Sequence, residues 1–284
     1  MLAYRHAFHA GNHADVLKHL VFTQVLRYMA EKDKPYTLID THAGAGAYAL
    51  ASSYAQKHAE YLDGIGRIWE RKDLPPAVAD YLDLVQKFNI EGTLKHYPGS
   101  PMLADLLLRE QDRLRLYELH SSDFRLLNET LGLRPNTQLK QTDGFAALRA
   151  DLPPPSRRGV VLMDPSYEVK TDYQKVLGAV REGLERFAEA VIIVWYPQVQ
   201  RLEPKELVDR LKATANSQGK KGWLHVRMTV AAPDGSGFGM LGSGLVVINP
   251  PFVLKPMLEA TLPWLIKAMG QFDGANFVIE HQGR

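Results

Sequence analysis

The chain has 284 residues and is 45% hydrophobic, enough to bury one large core with or without a small satellite. It contains no cysteine, which excludes disulfides, thiolate metal sites and cysteine nucleophiles. No apolar run approaches the roughly 18 residues of a membrane span and the first residues hold no signal-peptide core, so a cytoplasmic protein is expected; a net charge of +2 permits a nucleic-acid partner without demanding one.

The opening, residues 4–19, is rich in histidine. His9 and His13 stand four apart and invite a metal reading, but Gly11-Asn12 between them breaks a helix and no third ligand is evident, so no metal is expected. Helical spacing follows over 15–31, then a strand over 36–40 that runs into Asp40-Thr41-His42-Ala43-Gly44-Ala45-Gly46. The glycines let the backbone pass close beneath a ligand. Ala49 stands where a dinucleotide fingerprint has its third glycine, and the acid precedes the glycines, the order of the S-adenosylmethionine motif; an ordinary glycine turn is the alternative. Residues 48–96 offer no convincing strand. Their apolar positions (Ile65, Ile68 and Trp69, then Tyr81, Leu82 and Val85) have helical spacing, interrupted at Leu74-Pro75-Pro76. A helical insertion over 48–96, set between core segments 1–47 and 97–284, is the simplest account.

Ser100 precedes Pro101, a natural first helical residue, so it can cap a helix and also face a ligand. A second strand over 113–118 ends in Glu118, placed to accept ribose hydroxyls, and a third over 137–141 is followed by Asp143-Gly144, placed for an adenine amine. A fourth covers 159–163 and a fifth 190–195. A closing pair covers 222–231 and 244–248, separated by the Gly-rich turn 234–239. Strands alternating with helices predict an α/β fold with a mostly parallel, seven-stranded sheet.

The fourth strand runs into Asp164-Pro165-Ser166-Tyr167. A carboxylate there can accept a hydrogen bond from an exocyclic amine, the proline fixes a carbonyl that accepts another, and the aromatic ring can stack on a planar base. The tetrapeptide resembles motif IV of amino-methyltransferases, [DNS]-P-P-[FYW], with Ser166 in place of the second proline. Asn249-Pro250-Pro251-Phe252 matches the pattern more literally but follows the last strand, too late in the order, and reads as a stiff turn packed by Phe252. Arg157-Arg158 and Lys220-Lys221 are candidate phosphate contacts or solvated loop charges.

Together the opening YRHAFHAGNHADVLKH, the DTHAGAG turn, Tyr97-Pro98-Gly99-Ser100-Pro101, Glu118, Asp143-Gly144 and DPSYE resemble the RlmJ family of bacterial 23S rRNA adenine-N6 methyltransferases, along nearly the whole chain. The resemblance implies a Rossmann-like class I methyltransferase core with a small helical insertion, a monomer that takes S-adenosyl-L-methionine and acts on protein-free 23S rRNA. It places His19, His42, Gly44, Ser100, Glu118, Asp143, Gly144 and Asp164 at the cofactor, and Tyr4 and Tyr167 at the substrate. Asp164, Pro165 and Tyr167 become the catalytic group around a flipped-out adenine. The competing readings are a DNA adenine-N6 methyltransferase, a catalytically silent RNA-binding relic, and an NAD(P)-dependent oxidoreductase, the last disfavoured by the imperfect glycine pattern.

Overall fold

The computed structural model describes residues 6–233, 235 and 239–283. Tyr4 and most of the Gly-rich turn after Pro233 lie outside them. Helix α1, His13–Ala30, begins where the Asn12 side chain accepts hydrogen bonds from the Ala14 and Asp15 N–H groups. Gly11-Asn12 thus ends one turn and caps the next. Most positions of α1 are buried on every side, because it runs between the sheet and other helices.

The chain then continues through β1 (Thr37–Asp40), β2 (Ala47–Ala49), α2 (Ser53–His58), α3 (Pro76–Lys87), β3 (His96–Pro98), α4 (Ser100–Leu107), β4 (Arg113–Tyr117), α5 (Ser121–Leu131) and β5 (Thr137–Lys140). The second half holds α6 (Ala147–Asp151), β6 (Gly159–Met163), α7 (Thr171–Arg186), β7 (Val191–Gln198), α8 (Glu203–Gln218), β8 (Trp223–Thr229), β9 (Gly242–Ile248), α9 (Leu254–Met269) and β10 (Asn276–Gln282).

The main sheet has eight strands in the order β10-β8-β9-β7-β6-β1-β4-β5. The pairs from β5 to β7 are parallel, and β9 lies antiparallel between β7 and β8. This is the Rossmann-like methyltransferase layout, with all seven predicted strands present. The eighth, β10, pairs antiparallel with β8 at the edge. Its residues are at best partly buried, so the apolar run that marks an interior strand is missing from its sequence.

Alternate residues of the central strands feed two apolar layers. Val160 and Leu162 face the layer that includes α1, α4 and α9, while Val161 and Met163 face the layer of α7 and α8. Between β2 and β3, which pair antiparallel, the chain is helical apart from turns. Ile65, Ile68, Val78, Tyr81 and Val85 in that segment are fully buried and belong to the same apolar layer as α1 and α4.

Candidate active site

Strand order reverses between β1 and β6, and the connections leave to opposite faces, which opens a crevice at the carboxyl ends of the two strands. Into it project the residues after β1, β4, β5 and β6. His19, His42, Gly44, Ser100, Glu118, Asp143, Gly144, Asp164 and Pro165, far apart in sequence, line this one cleft of about 1040 Å³, open solvent at its mouth included. A nucleoside carrying an amino-acid side chain fits such a volume.

Two glycines are required by close approach. A Cβ on Gly144 would stand 1.9 Å from the Thr41 carbonyl oxygen, and one on Gly44, whose φ is +63°, would stand 2.3 Å from the Tyr48 hydroxyl. Gly44 N–H donates to Glu118 Oε2 at 2.8 Å and His120 N–H to Oε1 at 2.6 Å. The Glu118 carboxylate is thereby held rigid, and each oxygen keeps a lone pair for a diol. Burial pushes its pKa up, and the two N–H donors oppose that rise. Asp143 accepts from Phe145 N–H at 2.9 Å, and the Phe145 ring meets His42 edge-on at 4.7 Å. The donor set fits a nucleoside cofactor: acids for hydroxyls and an amine, glycines beneath, and an aromatic wall.

Burial disfavours the charged form of His42 and His19. Burial lowers the His42 pKa to about 4, and burial together with the Lys18 charge lowers that of His19. His19 Nδ1 lies 2.7 Å from the Tyr97 hydroxyl, which in turn lies 2.7 Å from the Tyr81 hydroxyl on α3. Ser100 donates to Asp40 Oδ2 at 2.6 Å. Asp40 is wholly buried, and that burial raises its pKa to about 7.

The sequence reading missed Lys18. Its ammonium, on the buried side of α1, donates to Asp15 Oδ1 at 2.7 Å and to Asp164 Oδ2 at 2.5 Å. Burial works against this charge, but the two carboxylates outweigh it and raise the Lys18 pKa. Asp15 also accepts from Gly11 N–H and lies 2.9 Å from His6 Nε2. Burial would raise the Asp15 pKa, and the His6 contact and the Lys18 ammonium instead hold it well below the usual range. A signal was present: Asp15 and Lys18 stand one turn apart in a helix whose intervening and following residues, Val16, Leu17, Leu20 and Val21, leave no polar face.

Asp164 and Ser166 also line a second cleft on the far side of Lys18, together with His6, His9, His13, His58, Glu60 and Trp195. The Asp164–Tyr167 tetrapeptide is therefore a partition between two openings. Pro165 lines the first. Tyr167 lines neither: its ring is 4% exposed, its hydroxyl donates to the Trp195 carbonyl at 2.7 Å, and Tyr173 packs on it with ring centres 4.5 Å apart. Its φ of +53° is strained for a bulky residue and is held by those contacts. In this conformation the ring is a brace beneath the loop rather than an open stacking face. Tyr4, the other expected substrate contact, lies outside the described residues.

Neither basic pair converges on this site. Arg158 donates to the carbonyls of Lys34 and Met29, fastening a loop, and neither Arg157 nor Lys220-Lys221 lines either cleft. Asn249 is structural: it is 1% exposed, donates to the Ala188 and Ala190 carbonyls, and accepts from the Lys220 and Lys221 N–H groups. The turn is packed by Asn249 and not, as expected, by Phe252, which is 77% exposed and touches Tyr28 edge-on.

A sequence model of the family described as Ribosomal RNA large subunit methyltransferase D, RlmJ, matches residues 33–279. The chain belongs to the RlmJ family. It is 49% identical over 265 residues to Ribosomal RNA large subunit methyltransferase J of Escherichia coli (strain K12), which spans 93% of each chain. The Haemophilus influenzae protein of the same name is 44% identical over 281 residues, 99% of this chain and 98% of that one. The crystal structure of a Legionella pneumophila protein superposes with a TM-score of 0.88 at 33% identity, covering 96% of this chain and 98% of that one. RlmJ membership and the sheet order agree on a methyltransferase core.

Proposed function

We propose that the protein is an S-adenosyl-L-methionine-dependent methyltransferase that modifies the N6 amine of one adenine in 23S rRNA. The observation that carries this is the position of Asp164: at the end of β6, on the partition between a nucleoside-shaped cleft and a second opening. Two RlmJ-named relatives, matched over at least 93% of their lengths, support large-subunit rRNA as the substrate. Bound S-adenosyl-L-methionine supplies an electrophilic methyl group. Glu118 accepts its ribose hydroxyls, Asp143 its adenine amine, and Gly44 and Gly144 let the backbone come close. His19, His42 and Ser100 complete the wall.

The target amine is a weak nucleophile because its lone pair is delocalised into the ring. Asp164 accepts one N6–H and the Pro165 carbonyl the other, which draws the nitrogen toward tetrahedral geometry. With Oδ2 bound to the Lys18 ammonium, Oδ1 is the oxygen left for the amine. Lys18 fixes the carboxylate and keeps it an acceptor, a preorganisation commonly worth a few kcal/mol in the transition state. The proton leaves to Asp164 directly or through water. The base enters by the second cleft, flipped from its stack. Tyr167 contributes by stacking only if its ring is uncovered as RNA binds; its buried contacts make it first a brace for the DPSY turn. Tyr4, preceding this cleft's His6, remains the other substrate contact in the reading. The protein works as a cytoplasmic monomer on protein-free rRNA, and residues 48–96 form an inserted helical unit on the core of 1–47 and 97–284.

Transfer of labelled methyl from S-adenosylmethionine to protein-free 23S rRNA and to duplex DNA, followed by nucleoside digestion, tests this. N6-methyladenosine from rRNA alone is expected, with at least a hundredfold loss in Asp164→Ala, assayed well below its melting transition with S-adenosylhomocysteine binding as the check that it is folded. Label in DNA alone, or full activity in Asp164→Ala, would overturn the reading.

A further inference from the structure

A cluster of aromatic rings and cations stands at the mouth of the second cleft, and the chemistry above does not use it. Phe8 closes the 3₁₀ turn His6–Phe8 just before α1. Tyr54, on α2, meets the Phe8 ring at 5.1 Å in a T-shaped contact and is 41% exposed. His58, on the same helix, lies 6.1 Å from Phe8 and is exposed while also lining the cleft. The Lys57 ammonium sits 5.4 Å over the Phe8 ring and, among the described residues, makes no ion pair. Tyr54, Lys57 and His58 are exposed and Phe8 is half-buried, and the cluster joins the second cleft through His58, which lines it together with Asp164 and Ser166.

Charge sorts what can go where. Inside the cleft stand four carboxylates, Glu60, Asp63, Asp15 and Asp164, against the one Lys18 ammonium that Asp15 and Asp164 share; Glu60 is engaged by His9 and Asn12. A phosphate is repelled from that interior, whereas a neutral base with an exocyclic amine is not. At the lip the sign changes to Lys57, with His58 beside it, and the aromatic faces offer stacking. Rings for bases and cations for backbone are what a single strand of nucleic acid uses.

From this juxtaposition we infer that Phe8, Tyr54, Lys57 and His58 form a subsite for the single-stranded nucleotide adjoining the flipped adenosine. A flanking base stacks on the Tyr54–Phe8 pair, its phosphate is met by Lys57, and the target base alone passes inward. The inference rests on RNA being the substrate. It also gives the inserted segment a role, because α2 belongs to it while Phe8 belongs to the chain before α1.

The test is steady-state methylation of a protein-free 23S rRNA transcript by Tyr54→Ala, Tyr54→Phe and Lys57→Ala, with binding of S-adenosylhomocysteine measured in parallel. Tyr54→Ala is expected to raise KM for RNA about tenfold, in the range of one lost base stack. Turnover at saturating RNA stays within about threefold, and Tyr54→Phe stays near wild type. Lys57→Ala is expected to lower the salt slope of log affinity by about 0.7, one single-strand phosphate contact. S-adenosylhomocysteine affinity is unchanged in all three, which also reports that they fold. Wild-type turnover with KM within twofold in both alanine variants would overturn the subsite and leave the function standing. A fall in turnover at unchanged KM would overturn it as well, by moving these residues to the chemical step. A wild type that methylates no RNA would remove the function and the subsite with it.

Discussion

Asp40 shows how a single buried acid ties the end of β1 to pH. It ends β1, is 0% exposed, and holds Ser100 Oγ and the His42 N–H at its two oxygens. Burial raises its pKa to about 7, against a usual carboxylate near 4. In the window between, the unfolded chain ionises this group while the folded one does not. Its contribution is thus fully present below about pH 4, falls as pH rises toward 7, and is flat above. The whole window is worth at most about 4 kcal/mol, from about 1.4 kcal/mol for each pH unit. Asp40→Asn keeps the shape and cannot ionise. Its unfolding midpoint in urea, compared with wild type, should gain progressively from pH 4.5 to pH 7 and then hold constant. A difference that does not vary with pH would mean that another group titrates in this window. Sequence reading placed Asp40 as the acid before the glycines but could not foresee its pKa, because its surroundings come from residues remote in sequence, Ser100 on α4 and Lys18 on α1 among them.

Strand length and burial divided the elements that were legible from those that were not. Strands β1 and β6 were readable as short buried runs and β4 as an alternating one, and each of the three runs into an acid, Asp40, Asp164 and Glu118, at its carboxyl end. Strands β2 and β3 were not, since three residues each carry no periodicity; nor was β10, whose outer edge is solvated. Lys18 was hidden for another reason: only tertiary packing brings α1 against the end of β6. The Asn249 turn was placed correctly by its order in the chain, although its literal match to the motif pointed the other way. Its amide satisfies four backbone groups at once, joining the start of β7, the start of β8 and the end of β9. Asn249→Ala strands those groups and should cost about 2–4 kcal/mol, lowering the melting temperature by roughly 5–10 °C. Methyl transfer assayed well below the transition should stay within about twofold of wild type. The reverse pattern, full stability with lost turnover, would make this tetrapeptide part of the chemistry.

At the scale of the whole molecule, the segment between β2 and β3 has no core of its own. Ile68 and Val78 are fully buried in the layer that α1, α4 and α9 share with the sheet. Polar links point the same way: Gly11 carbonyl accepts from Ile65 N–H at 2.8 Å, and a Cβ on Gly64 would fall 2.2 Å from that carbonyl. The Tyr81–Tyr97–His19 chain runs from α3 to the lining of the first cleft. A segment seated this way cannot melt without exposing α1, and α1 carries Lys18. Ile68→Ala should therefore cost about 2–5 kcal/mol of global stability, as a cavity in the main core does. It should move one cooperative transition, with far-UV and near-UV circular dichroism coinciding in wild type and variant alike. Two separated transitions, the earlier one abolished by truncating residues 50–95, would instead mean that the segment folds by itself. In that case the rim formed by α2 and Phe8 would not be rigid enough to hold a nucleotide in register with Asp164. Cooperativity is thus the physical condition that the proposed nucleotide subsite on α2 requires, because a subsite positions its ligand only as firmly as its own element is fixed to the group it serves.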